Sequence, residues 1–414
     1  MIARHAVLLA AAACAFPAVQ ASAGSVPEGY KLEQVLMLSR HNLRAPLANS
    51  GSALAKVTEK KWPEWEVPGG NLTVKGGILE TYMGRSIGGW LAENGLVPKD
   101  ACPASGSVHI YANSLQRTVA TAQFFVAGAF AGCDVAVHHQ DKMGSMDPTF
   151  NPSIRDNQDG FRDQAVAAMA EKAKATPLAS GYRLLDGILG FKASQSCTQD
   201  KLCDLTKGQD SFTAKAGEEP GTKGPLKLGN AVVDAFTLQY YEGFPPGDVA
   251  WGKIRNEGQW RSLAAIKNGY QEALFTSPAV ARDVAGPMLA YIAGALVKPE
   301  AGKAVPVTVL FGHDSNVASV LAALEAEPYV LPGQDEKTPI GGVIQFQRWR
   351  DTKGNRDLFR LDYVYQTKAQ LRQGTKLTAK NPPRRVTLKL KGCPTDQDGF
   401  CAWSDFAKAL PAPR

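Results

Sequence analysis

The chain has 414 residues, 44% hydrophobic and 21% charged, with a formal net charge of +7. The 40 Gly and 26 Pro are spread without low-complexity tracts or internal repeats, which excludes repeat architectures and leaves one large globular unit, or one carrying a smaller unit. The positive charge is scattered without Lys or Arg runs, so it favours a small anionic partner and does not suggest nucleic acid, which is not expected as a partner.

The N-terminus reads as a secretory leader over residues 1–23. Arg4 gives the positive start, "AVLLAAAACAF" the apolar core, and Ala21-Ser22-Ala23 the small-residue cleavage site, with Ala21 the alternative cut. That core is too short to span a bilayer. Cys14 reads as lost with the leader rather than as a lipid anchor. The mature chain is expected in the periplasm, off the membrane. Six cysteines then remain, and an even number in an exported chain suggests disulfides. About 15 pairings are open. Sequence proximity favours Cys102–Cys133, Cys197–Cys203 and Cys393–Cys401, each stabilising by about 2–4 kcal/mol. No C-x-x-C occurs and no histidine stands at ligand spacing from a cysteine, so no metal is expected.

Three apolar runs of β type follow one design. "EQVLMLS" ends in Arg40-His41, with Arg44 just beyond. "VHIYAN" feeds a helix in which Leu115, Val119, Ala122, Phe125 and Val126 recur at helical spacing. Asn113 or Ser114 is its candidate cap, and Arg117 falls in its first turn. "VTVLF" leads into Gly312-His313-Asp314 and then a helix from Asn316 to Leu324. Continuous apolar strands that each feed a helix predict an α/β fold with a parallel sheet covered on both faces. Ligands of such sheets bind beyond the carboxyl ends of the strands. Arg40, His41, Arg44, Arg117, His313 and Asp314 therefore gather at one rim. Planar guanidinium forks suit phosphate, although charge alone leaves carboxylate and sulfate open. The histidines and the aspartate turn the choice toward phosphoryl transfer.

Other features read as structural. His138 and His139 would point to opposite faces of a strand. "DNQDG" and "TDQDG" place Arg155 or Pro394 where a calcium loop needs a carboxylate. "GTKGPLKLG" lacks phosphate-loop spacing. Trp62 and Trp65 read either as pocket wall or as packed loop.

Arg40-His41-Asn42-Leu43-Arg44-Ala45-Pro46 resembles the R-H-G-x-R-x-P signature of histidine acid phosphatases. His313-Asp314 resembles their late H-D pair, and "ANSLQRT" lies where they keep a third phosphate-binding arginine, here Arg117. "KWPEWEVPGG", "GHDSN" and "TPIGG" resemble the branch acting on glucose 1-phosphate, with phytases the sister branch. The resemblance implies a phosphoglycerate mutase-like α/β domain over 24–146 and 291–414, with a central, mainly parallel sheet and helices on both faces. It also implies a smaller, mostly helical cap over 147–290.

For the chemistry, it implies His41 as nucleophile, Asp314 as general acid, and Arg40, Arg44, Arg117 and His313 as the phosphate cradle, without cofactor. Glu219 would be a cap carboxylate over the pocket, its other reading being a solvated loop residue. The expected substrate is a small phosphate monoester, glucose 1-phosphate first. A phytase-type inositol phosphate phosphatase is the alternative, and a non-catalytic sugar-phosphate binding protein the second. Two positions depart from the signature. Asn42 replaces Gly, which Asn best tolerates if the position needs positive φ. Leu47 stands where phytase-like relatives carry Thr, and should narrow access for a large polyphosphorylated ring.

Overall fold

The run Val35–Leu38 lies inside strand β1 (Tyr30–Arg40), and all four of its side chains are fully buried. Their alternation shows why. Leu36 and Leu38 enter one core cluster with Met288, Leu289 and Ile292, whereas Val35 and Met37 enter another with Met83, Ile87 and Phe125. A strand buried on both faces reads as continuously apolar. These features come from a computed structural model that describes residues 26–47, 52–299 and 304–410. The expected leader, with Cys14, lies outside the described residues.

Beyond β1 come β2 (Val108–Ala112), β3 (Val137–His138), the hairpin strands β4 (Ser211–Thr213) and β5 (Gly221–Lys223), and β6 (Val307–Gly312). Four further strands follow: β7 (Val343–Asp351), β8 (Arg356–Tyr365), β9 (Arg384–Leu388) and β10 (Cys401–Ala402). The main sheet runs β10-β8-β7-β1-β6-β2-β3, with β9 also on β8. Its core, β1-β6-β2-β3, is parallel. From β7 outward the pairing is antiparallel. Helices cover both faces, so the α/β expectation holds. The antiparallel extension is an addition to the three strands read from sequence.

Register brings the strand tips together. Arg40 pairs with Gly312, and Ala112 with Phe311. The next backbone groups continue the ladder: His41 N–H donates to Gly312 O at 2.9 Å, and Asn113 N–H to Phe311 O at 3.0 Å. Three distant segments thus end side by side.

The helices after β2 and β6 run Gln116–Ala129 and Asp314–Ala323. Each differs at its start from the expectation. The first begins without a side-chain cap, at Leu115. Asn113 is instead drawn into other bonds, its Oδ1 accepting from the backbone N–H groups of Ser114 and Asp147. The second begins at Asp314, because Asn316 Oδ1 accepts the His313 N–H at 2.9 Å and closes the turn early.

Between β3 and β6 the chain is mainly helical, with Asp159–Ala175, Ala179–Leu189, Pro225–Glu242 and Glu257–Phe275 the longer helices. Leu185, Leu226, Phe236, Leu263 and Ile266 build a separate core there, joined by Leu54 and Val57. The helix Gly286–Leu296 packs on the sheet through Met288, Leu289 and Ile292. Cysteines pair as Cys102–Cys133, Cys197–Cys203 and Cys393–Cys401. Among the described residues, no helix is long and apolar enough to cross a membrane.

Candidate active site

Arg40, the last residue of β1, is 1% exposed. Its Nη1 donates to Thr338 O at 2.6 Å and to Glu336 Oε1 at 3.2 Å. Its Nη2 lies 3.3 Å from Asp314 Oδ2. Burial alone would weaken its charge, but Asp314 and Glu336 outweigh that and keep it firmly protonated.

His41 follows, buried, with Nδ1 2.8 Å from the carbonyl oxygen of Asn42. A carbonyl only accepts, so Nδ1 carries the proton and Nε2 keeps its lone pair. Burial, then Arg117, His313, Arg44 and Arg40, hold the imidazole well below its usual range. It stays neutral, as a nucleophile must.

Asn42 does not occupy the left-handed region, so the position does not need positive φ. What the position uses is the side chain. Nδ2 donates to Glu80 Oε2 at 2.7 Å, and Oδ1 accepts the Leu43 N–H at 2.8 Å. Glu80 is itself buried, and burial pushes its carboxyl up to about 8, with Asn42 opposing. Gly341, from "TPIGG", makes room for this amide. Its φ is +64°, and a Cβ there would sit 2.5 Å from Asn42 Nδ2.

Arg44 Nη2 lies 2.9 Å from Asp234 Oδ2. Arg44, Lys267 and Arg40 overcome burial and hold the Asp234 carboxyl far below its usual range. Arg117 is pushed down to about 10 by burial and by Arg44, with Asp314 opposing. Arg40, Arg44 and Arg117 share one feature: each has a buried Nε without a hydrogen-bond partner among the described residues. Buried donors are normally satisfied. Three such donors suit an oxyanion that accepts them.

His313 packs edge-on to His41, with ring centroids 5.6 Å apart. The Asn113 amide orientation is fixed by the two backbone donors on its Oδ1, so Nδ2 donates to His313 Nε2 at 2.6 Å. In the neutral ring, Nδ1 is then the nitrogen able to donate. Burial and Arg117 lower His313 to about 3. Asp314 is partly open, with its side chain 30% exposed. Burial pushes it up, but Arg40 and Lys267 outweigh burial and hold it below the usual carboxylate range.

A cleft of about 270 Å³ opens beside Asp314, and Arg44, Leu47, Glu219, Asp234 and Tyr270 line it. Leu47 is 55% exposed at its edge. Glu219 is exposed at the cleft, but partial desolvation of its carboxyl there and Asp314 raise it, with Arg117 opposing, so it shares the field of the site. Trp62 belongs to the packed loop: it packs, with rings tilted, against Trp251 and Phe236. Trp65 packs on Phe244.

All seven residues singled out from sequence therefore lie in or beside one pocket. Sequence reading missed Asp234, Lys267, Glu336 and Glu80, which hold the others in place, and read Asn113 only as a helix cap. "TPIGG" was a usable signal for Thr338 and Gly341. Asp234 sits in an ordinary-looking helix, and only the helical phase of Lys267 hints at its burial.

Comparison with known proteins gives the same direction. Residues 31–219 match the histidine phosphatase superfamily (branch 2). The chain is 56% identical over 405 residues to a glucose-1-phosphatase of Salmonella typhimurium (strain LT2), covering 98% of this chain and 97% of that one. It is 49% identical over 380 residues to a glucose-1-phosphatase of Providencia rettgeri, covering 92% and 91%. The structure of the phytase from Citrobacter braakii superposes with a TM-score of 0.84 at 31% identity, covering 93% of this chain and 98% of that one.

Proposed function

We propose, from the premise that the chain belongs to the histidine phosphatase superfamily (branch 2), that it hydrolyses sugar phosphate monoesters with glucose 1-phosphate preferred. The chain is a phosphoric monoester hydrolase. One observation carries the chemical reading: three arginines, each with a buried and unmet Nε–H donor, bear on an imidazole kept neutral. In this reading His41 Nε2 attacks phosphorus while the bond from phosphorus to the sugar oxygen breaks. Asp314 gives its proton to that departing oxygen. Water then attacks the phosphohistidine, its proton goes to Asp314, and the N–P bond breaks to release orthophosphate. Arg40, Arg44, Arg117 and His313 hold the non-bridging oxygens and offset their charge.

Asp314 is ionised at rest beside Arg40 and Lys267. A bound phosphate sets negative charge against the same arginines, which raises the carboxyl's affinity for a proton. Turnover is therefore favoured in acid solution. Residues 147–290 serve as the cap, with Glu219 reaching sugar hydroxyls and repelling additional phosphates. Leader and disulfides together support export to the periplasm.

A second reading, a phytase-type phosphatase, is supported by the resemblance to the Citrobacter braakii structure. Leu47 and Glu219 at a narrow cleft favour the first. Initial rates on glucose 1-phosphate and on phytate, with a chelator present, discriminate the two. We expect kcat/KM for glucose 1-phosphate to exceed that for phytate by about tenfold or more. A preference for phytate would establish the second reading. No phosphate release from any monoester would leave only a binding protein.

A further inference from the structure

One buried cation stands between the site arginines and takes no part in the steps above. Lys267, on the helix Glu257–Phe275, is 4% exposed. Its Nζ lies 2.6 Å from Asp234 Oδ1 and 2.7 Å from Glu336 Oε1. Each of those carboxylates holds a site arginine: Asp234 takes Arg44 at 2.9 Å, and Glu336 takes Arg40 at 3.2 Å. The charges run Arg44, Asp234, Lys267, Glu336, Arg40, Asp314, and cross from two helices of the 147–290 segment to the tip of β1. Asp234 belongs to one of those helices, Pro225–Glu242.

Burying an ammonium is unfavourable unless it is paired. Here the pairing is double, and both partners are shared with arginines that bear on His41. Two carboxylates on one nitrogen are close neighbours. Without the cation they repel, and one of them takes up a proton. A protonated carboxyl then loses its hold on its arginine.

We propose that Lys267 is a positioning residue for the reaction, orienting Arg40 through Glu336 and Arg44 through Asp234, and so coupling the seating of the 147–290 segment to phosphate binding. This rests on the phosphatase reading above. A consequence reaches Asp314. That carboxyl faces Arg40 and His313 from the sheet side and Lys267 and Asp234 from the helices, with Glu219 and Arg117 within electrostatic reach. Removing the Lys267 charge favours the neutral carboxyl. Asp314 then stays protonated to higher pH, and the basic limb of the rate profile moves up.

The test compares wild type, Lys267→Gln and Lys267→Arg. Glutamine keeps a donor and removes the charge; arginine keeps the charge and changes its shape. Rates on glucose 1-phosphate are followed across the acid range, and orthophosphate affinity is measured by calorimetry. For Lys267→Gln we expect KM and the orthophosphate Kd to rise about tenfold or more. The fall in kcat should be smaller, and the basic limb should shift upward. Lys267→Arg should return the basic limb to its wild-type place with KM still raised. Wild-type phosphate affinity and an unmoved pH profile in Lys267→Gln would overturn the proposal. If Lys267→Gln does not melt cooperatively, Lys267→Arg decides, and an unchanged KM there overturns it. Failure of the wild-type enzyme to label His41 with phosphate would instead count against the phosphatase mechanism itself.

Discussion

The carbonyl oxygen of Asn42 holds the Nδ1 proton of its neighbour His41 across 2.8 Å. One short contact fixes the tautomer, and the surrounding burial and arginines then keep the ring neutral. In the proposed reaction, the nucleophile is ready before substrate arrives. The acid limb of kcat/KM should therefore lie well below about 6.5, the ordinary imidazole value. A pH profile of initial rates checks this, and an acid limb near the ordinary value would show that His41 must first lose a proton.

The proposed reaction has Asp314 donate to the leaving oxygen, so its removal should matter most where that oxygen is basic. Asp314→Asn should lower kcat on a sugar phosphate by about 10²–10⁴-fold. The loss should shrink sharply with p-nitrophenyl phosphate, whose leaving group needs no proton. Equal losses on both substrates would assign Asp314 to holding Arg40 rather than to proton transfer.

Glu80 links the site to stability. Its folded-state carboxyl is raised to about 8 by burial, with Asn42 opposing, against about 4.3 in an unfolded chain. Between those values the folded protein binds the extra proton, so stability is fully present below the lower value and falls as pH rises toward the upper one. Thermal midpoints at about pH 5 and pH 8 should show wild type losing more than Glu80→Gln, which cannot ionise. Parallel losses would mean that Glu80 is charged in the folded state.

The proposed function gives Glu219 a part in substrate choice. Replacing it by alanine should leave turnover of simple phosphomonoesters near wild type. The preference for glucose 1-phosphate over phytate should fall about fivefold, the worth of a hydrogen bond of roughly 1 kcal/mol. An unchanged ratio would return Glu219 to an ordinary loop position beside the cleft.

The strand tips were legible because their signals are contiguous. An apolar run, a turn and a helix start give β1, β2 and β6, and a parallel sheet gathers their carboxyl ends. The disulfides were legible from proximity. The residues that hold the site were not, since their meaning depends on contacts between distant segments. Asp234 pairs with Arg44 across 190 positions, and Glu336 with Arg40 across 296. Lys267 did leave a trace. It lies four residues after Leu263 and four before Gln271, on the buried stripe of its helix, and a charge in that phase calls for a buried partner. Asn42 shows the opposite failure. A backbone argument was natural for a residue in a glycine's place, yet its amide, bound to Glu80 and fitted against Gly341, explains it.

The proposed chemistry turns on covalent transfer to one imidazole. Brief incubation with glucose 1-phosphate carrying labelled phosphate, followed by an alkaline quench, tests this most directly, because a phosphohistidine survives base and is lost in acid. The expected result is base-stable, acid-labile label on the peptide containing His41, absent from His41→Ala together with turnover. Label on another residue, or normal turnover by His41→Ala, would contradict it.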